Sequence, residues 1–153
     1  MSKIDSLVFM VGMVLSLGSV ATFIVMNAAV GSGSDATLVK HQRLFVSAIA
    51  RALTIPGVCV LLAATVLSTS FWGHRPFDDG WGLVQLVLAA LTFINTMVFV
   101  RPLVAEVSDL ADQGAAQGRL LQSYATRKTL EDRFGAVNFL MIVATLLLAA
   151  FRP

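Results

Sequence analysis

Four long apolar runs dominate the chain, with short polar stretches between them. Leu7 to Val30 is 24 residues without a charge, Ala52 to Phe71 is 20, Trp81 to Val100 is 20, and Phe134 to Phe151 is 18. A weaker apolar stretch, Leu44–Ala50, leads into the second run. A helix rises about 1.5 Å per residue, so roughly 20 apolar residues cross a ~30 Å hydrocarbon core. Lipid tolerates only helices or closed barrels, and continuous runs are not the alternating barrel pattern. The pattern predicts an all-α integral membrane four-helix bundle. It forms one domain over residues 1–153, with spans at about 7–30, 44–71, 81–104 and 134–151. The first run exceeds the apolar core of a signal peptide, about 7–15 residues, so a permanent first helix is expected.

The polar stretches supply the punctuation. Gly31-Ser32-Gly33-Ser34-Asp35 is a flexible link, and Ser34 or Asp35 is placed to cap a second helix starting near Thr37. Pro56-Gly57 lies inside the second span and predicts a kink, because proline removes a backbone donor and crowds the preceding turn. The middle loop, Gly73 to Gly80, is short and flanked by Trp72 and Trp81, an aromatic belt at one interface. Arg101 to Arg133 is the largest soluble piece. It reads as two helical stretches broken near Gly114 and Gly118, extending spans three and four as a long antiparallel hairpin.

Composition fits this picture: 57% of residues are hydrophobic and 13% charged. The net charge is only +2, so the basic pI of about 9.1 does not argue for a nucleic-acid partner. The distribution of charge is more informative. Lys3, Arg75 and Arg152 fall on the side of the termini and middle loop. Lys40, Arg43, Arg51, Arg101, Arg119, Arg127, Lys128 and Arg133 fall on the side of the first and third loops. Eight basic residues against three predict cytoplasmic first and third loops, with both termini outside.

Candidate chemistry is sparse. Arg51, at the cytoplasmic end of span two, reads either as snorkelling to lipid phosphates or as a buried anchor for Glu106, Glu131 or Asp132. Arg133 is its counterpart before span four, and the pair predicts a basic collar. Asn27, Gln85, Asn95 and Asn138, with Ser16, Ser19, Thr22 and Thr96, lie at membrane depth and suit interhelical hydrogen bonds. Gly12-x-x-x-Ser16 and Gly18-x-x-x-Thr22 are small-residue patterns for close packing, within the bundle or with another subunit. Cys59 reads as a small buried residue. His41 and His74 fall on opposite sides of the membrane and cannot share one metal site. Met10 and Met13 read as packing rather than a copper site. No catalytic motif is present, so nothing signals an enzyme, and no metal site is predicted.

An internal repeat is suggested by Thr22-Phe23-Ile24 and Thr92-Phe93-Ile94. A second match is Ala63-Ala64-Thr65-Val66-Leu67 with Val143-Ala144-Thr145-Leu146-Leu147. This fits a parallel duplication of a two-helix unit.

Arg51 to Ser68, and Arg101-Pro102 through Pro153, resemble a loose group of small four-helix bacterial membrane proteins. The group includes the haem-binding membrane protoporphyrinogen oxidase, copper-resistance D-type domains and an uncharacterised family of predicted integral membrane proteins. The oxidase has a histidine in its first span and Leu7 to Val30 has none, so no active-site residue transfers. The leading expectation is a non-catalytic accessory subunit of the bacterial inner membrane. Its partners would be lipids and other integral membrane proteins, as a homo-oligomer or in complex assembly, with no cofactor. The resemblance implies a haem- or quinone-binding redox protein as the alternative. A third reading is an oligomeric small-molecule or metal-ion transporter with a path through Asn95 and Asn138.

Overall fold

A computed structural model describes residues 3–30, 35–71 and 80–150. Among these residues the chain is all-helical, with four long rods and no strand. The first rod is α1 (Lys3–Val30). The second runs α2 (Ala36–Ile49), a π turn (Ala50–Thr54) and α3 (Ile55–Phe71). The third runs α4 (Gly80–Ile94), a π turn (Asn95–Val100) and α5 (Arg101–Ala116). The fourth is α6 (Gln122–Ala150). Among the described residues two helices are long and apolar enough to cross a membrane, Ala36–Leu67 and Gly80–Ala116, and a shorter apolar helix covers Met10–Thr22.

Local chemistry sets the ends. Asp35 caps α2, its carboxylate accepting from the backbone N–H of Thr37 at 2.9 Å and of Leu38 at 3.4 Å. The α5–α6 turn closes where expected. Gly118 adopts φ +68, the left-handed conformation that glycine enters without a Cβ penalty. Arg119 N–H then reaches back to the Gly114 carbonyl at 3.0 Å, and Gly118 N–H to that of Ala115 at 3.2 Å. The remainder of the first link (31–34), the middle loop with Trp72 and His74 (72–79), and the Asn27 side chain lie outside the described residues.

The two π turns share one cause. Each ends two residues before a proline, Pro56 after Thr54 and Pro102 after Val100. A proline has no N–H for the i−4 carbonyl and its ring crowds that carbonyl. The helix instead widens by one residue, so that Ile55 N–H bonds Ala50 O and Arg101 N–H bonds Thr96 O. The interruption expected at Pro56 therefore takes the form of a π turn, and Pro102 repeats it in the third rod. The turns occupy rods two and three, so they do not follow the proposed repeat. Thr65 and Thr145, which the repeat matches, are both buried and donate to Leu61 O and Met141 O, each at 2.8 Å.

α1 packs on α3, α2 on α5, α4 on α6, and α5 on α6. The α1–α3 seam uses the first small-residue pattern. A Cβ on Gly12 would sit 2.9 Å from Leu61 N, and one on Gly57 would sit 2.8 Å from Ser16 Oγ. Gly12 and Ser16 thus pack inside the bundle. Gly18 does not: it is exposed, with no neighbour within 4 Å of a Cβ built there, and Thr22 Oγ1 donates to its carbonyl at 2.7 Å.

The bundle has a mixed interior and a largely apolar outer surface along its rods. Among the described residues, glycine aside, twelve polar or charged side chains are buried alongside twelve apolar ones. Leu83, Val84, Val87, Leu91, Ile94 and Val98 stand exposed, while Gln85, Thr92, Asn95 and Thr96 of the same rod are buried. A water-soluble bundle turns its apolar stripe inward. Cys59 follows this inversion and is exposed on α3. That corrects its expected burial: Val58 and Leu61 take the inward positions of this turn of α3.

Candidate functional site

The polar interior has two levels on α6. Tyr124, Glu131, Asn138 and Thr145 recur every seven residues, the repeat that keeps one helix face toward its neighbours. Glu131, Asn138 and Thr145 are buried and Tyr124 is half-buried.

At the upper level Asn138 meets the third rod. Asn95 Nδ2 donates to Phe134 O at 3.1 Å and to Asn138 Oδ1 at 3.2 Å. Both its N–H groups are thereby used, which fixes the orientation of both amides. Thr96 Oγ1 lies 3.1 Å from the same Asn138 oxygen and 2.8 Å from Thr92 O. Alongside, the Phe99 and Phe134 rings stack with centroids 4.7 Å apart. The two asparagines singled out in the sequence are thus hydrogen-bonded to one another. Such interhelical bonds average about 0.6 kcal/mol in a membrane bundle.

At the lower level is a buried ion pair. Ala36, Val39, Arg43 and Val46 form the inward stripe of α2, so the register carries Arg43 into the core. Arg43 Nη1 donates to Glu131 Oε1 at 2.9 Å and Oε2 at 2.8 Å. Its Nε donates to Tyr124 Oη at 3.3 Å, and the guanidinium carbon lies 5.8 Å from the centre of that ring. Both charged side chains are only 1% exposed. Burial pushes the Glu131 carboxyl above the ordinary carboxylate range, against the opposing pull of Arg43 and then Lys128. Arg43 Nη2 and Ser16 Oγ are buried without a hydrogen-bond partner among the described residues.

Further ion pairs frame this level. Lys40 meets Asp112 at 3.4 Å between α2 and α5, and Arg127 meets Glu106 at 2.9 Å between α6 and α5. Lys128 pairs with Asp132 along α6. Each pair of helices among α2, α5 and α6 is therefore joined by one ion pair. This corrects the anchor expected at Arg51. Glu106, Glu131 and Asp132 are held by Arg127, Arg43 and Lys128, while Arg51 is exposed and in none of the ion pairs among the described residues. Arg133 is likewise exposed and outside them. Arg51 comes one residue after Ala50, where the stripe of Val39, Arg43 and Val46 would continue, and so lies off that stripe. The sequence reading missed Arg43, Tyr124 and Glu131 as a unit. The seven-residue polar recurrence on α6 and the place of Arg43 on an apolar stripe were the available signals.

Two cavities open beside the π turns, sharing Ala50, Thr54, Val100 and Val104 as a common wall. The first, about 350 Å³, lies toward α1 and α6, is mostly apolar, and reaches Ser19, Asn138, Glu131 and Asp132. The second, about 360 Å³, lies between rods two and three and is lined by Ser47, Arg51, Thr96 and Arg101 among apolar residues. His41, the described histidine, is exposed and lines neither. Among the described residues no group of three or more His, Cys, Asp or Glu is placed to hold a metal. No family model, curated protein or solved structure matches the chain.

Proposed function

We propose that the chain is a four-span protein of a bacterial inner membrane and serves as a non-catalytic subunit lodged against a larger membrane protein. Its termini lie outside, and the α5–α6 hairpin lies in the cytoplasm. The membrane setting is supported by the inverted polarity, since lipid solvates the exposed Leu, Val and Ile surface that water would not. The orientation is supported by the eight-to-three excess of basic residues.

The subunit role is carried by one observation, the outward face of α1. Leu7, Val11, Val14, Gly18, Ala21 and Val25 alternate in steps of four and three and are all exposed. Gly18 and Ala21 are the small residues of this face, and among the described residues nothing lies within 4 Å of a Cβ built on Gly18. Small residues at such spacing let a second helix approach closely.

Mild-detergent purification tests this reading. The wild-type chain is expected to bring a larger membrane protein with it, and Gly18→Leu to lose that partner while remaining inserted. Recovery of the lone wild-type chain would overturn the subunit role. Orientation is tested by His74→Cys in a Cys59→Ser background, which should label from outside intact cells.

The first cavity supports a second reading, an apolar cofactor such as a quinone held between α1 and α6. A quinone suits its lining better than haem, since the described histidine lies elsewhere. Organic extraction of the purified protein separates the two readings: no quinone recovered removes the second.

A further inference from the structure

The two cavities are near equals in size and differ in the charged residues that line them. The first reaches the acids Glu131 and Asp132. The second has two arginines and no acid in its lining. Arg51 comes from the π turn of rod two and Arg101 from the start of α5, so one guanidinium stands on each wall. Both are exposed, and neither is in any ion pair among the described residues. Ser47, one turn before Arg51, and Thr54 add hydroxyls, while Ile55 and Val100 make the wall apolar beyond them.

The geometry points to a binding site for one anionic phospholipid of the cytoplasmic leaflet. Its phosphate lies between Arg51 and Arg101, and one acyl chain lies in the groove between rods two and three. The site rests on the membrane reading, which sets both arginines at the cytoplasmic ends of spans two and three. Arginine is suited to the phosphate because its planar donors match the oxygens and it remains charged. A free anion would use the guanidiniums alone. The apolar side chains beside them, Ala50, Ile55 and Val100, match a lipid, because a chain following the headgroup removes them from competing solvent. The volume is at the lower end of the roughly 300–1,000 Å³ of small-molecule pockets, room for one occupant. Residues of both proline-linked π turns line this groove.

The test reconstitutes the full chain in nanodiscs of phosphatidylcholine with phosphatidylglycerol and reads retained lipid by native mass spectrometry. The wild type should retain phosphatidylglycerol preferentially. Arg51→Gln and Arg101→Gln should each weaken that preference about fivefold, and the double variant should abolish it. Arg51→Lys with Arg101→Lys should keep most of it, and Arg119→Gln, in the α5–α6 turn, should keep all of it. Excess inorganic phosphate should leave the lipid bound. Equal retention of both lipids, persistence of the preference in the double Gln variant, or displacement by phosphate would each overturn the site. Failure to enter the nanodisc would overturn the membrane reading and the site together. Insertion without selectivity overturns the site alone.

Discussion

Arg43 of α2 and Glu131 of α6, 88 positions apart, form a buried ion pair in which one guanidinium nitrogen serves both carboxylate oxygens at 2.9 and 2.8 Å. With both side chains 1% exposed, the pair has little water to fall back on. Two charges in such a place are costly to desolvate and depend on each other to recover that cost. The pair therefore specifies how α2 sits against α6 more than it adds net stability.

Removing Arg43 alone is expected to be worse than removing both. Arg43→Leu leaves Glu131 buried without its counter-ion and should destabilise the bundle by about 3 kcal/mol or more. Arg43→Met with Glu131→Leu should recover most of that loss. Thermal unfolding in detergent, run as a double-mutant cycle, measures the difference. Equal and additive losses would show that the two side chains do not act as a pair.

The α1–α3 seam predicts a contrast among three glycines. Gly12→Ala puts a methyl 2.9 Å from the Leu61 backbone nitrogen, and Gly57→Ala puts one 2.9 Å from that of Ser16. Backbone cannot yield as a side chain can, so each should cost about 1–3 kcal/mol. Gly18→Ala meets nothing within 4 Å and should stabilise the helix by about 0.5–1 kcal/mol. The order of unfolding midpoints checks all three, and a Gly12→Ala protein as stable as wild type would contradict the seam.

Ser16 offers a substitution expected to help. Its hydroxyl is fully buried and has no hydrogen-bond partner among the described residues. An unsatisfied buried polar group costs about 1–3 kcal/mol, so Ser16→Ala should leave the unfolding midpoint unchanged or raise it. It should not rescue Gly57→Ala, because the Ser16 backbone nitrogen remains in the way. A clear fall in the midpoint would mean that the hydroxyl has a partner after all.

Glu131 predicts the sign of a pH dependence. Burial raises its folded pKa above the unfolded value, so the folded protein binds a proton that the unfolded chain has released. Stability is then greatest below the ordinary carboxylate range. It declines as pH rises from there through the raised pKa, and is level beyond it. Glu131→Gln should flatten this segment of the stability curve. An identical slope in wild type and variant would assign the titration elsewhere.

The sequence by itself determined the helices. Four apolar runs, the Asp35 cap and the Gly114–Gly118 break all depend on neighbours a few residues away, and all are legible along the chain. It also singled out Gly12 with Ser16, and Asn95 with Asn138, as packing and hydrogen-bonding residues, because small or amide side chains in apolar helices have few other roles. Glu131 was among the acids it offered, but with Arg51 as the base. Only the tertiary structure decided that the base is Arg43. Pairing across 88 positions depends on the relative register and rotation of α2 and α6, which α5 packing against both helps to set. The π turns made the same kind of difference. Pro56 and Pro102 marked where hydrogen bonds must fail, but whether a helix answers with a kink or an extra residue depends on what packs around it. Arg51 and Arg101 line one groove beside the turns so formed.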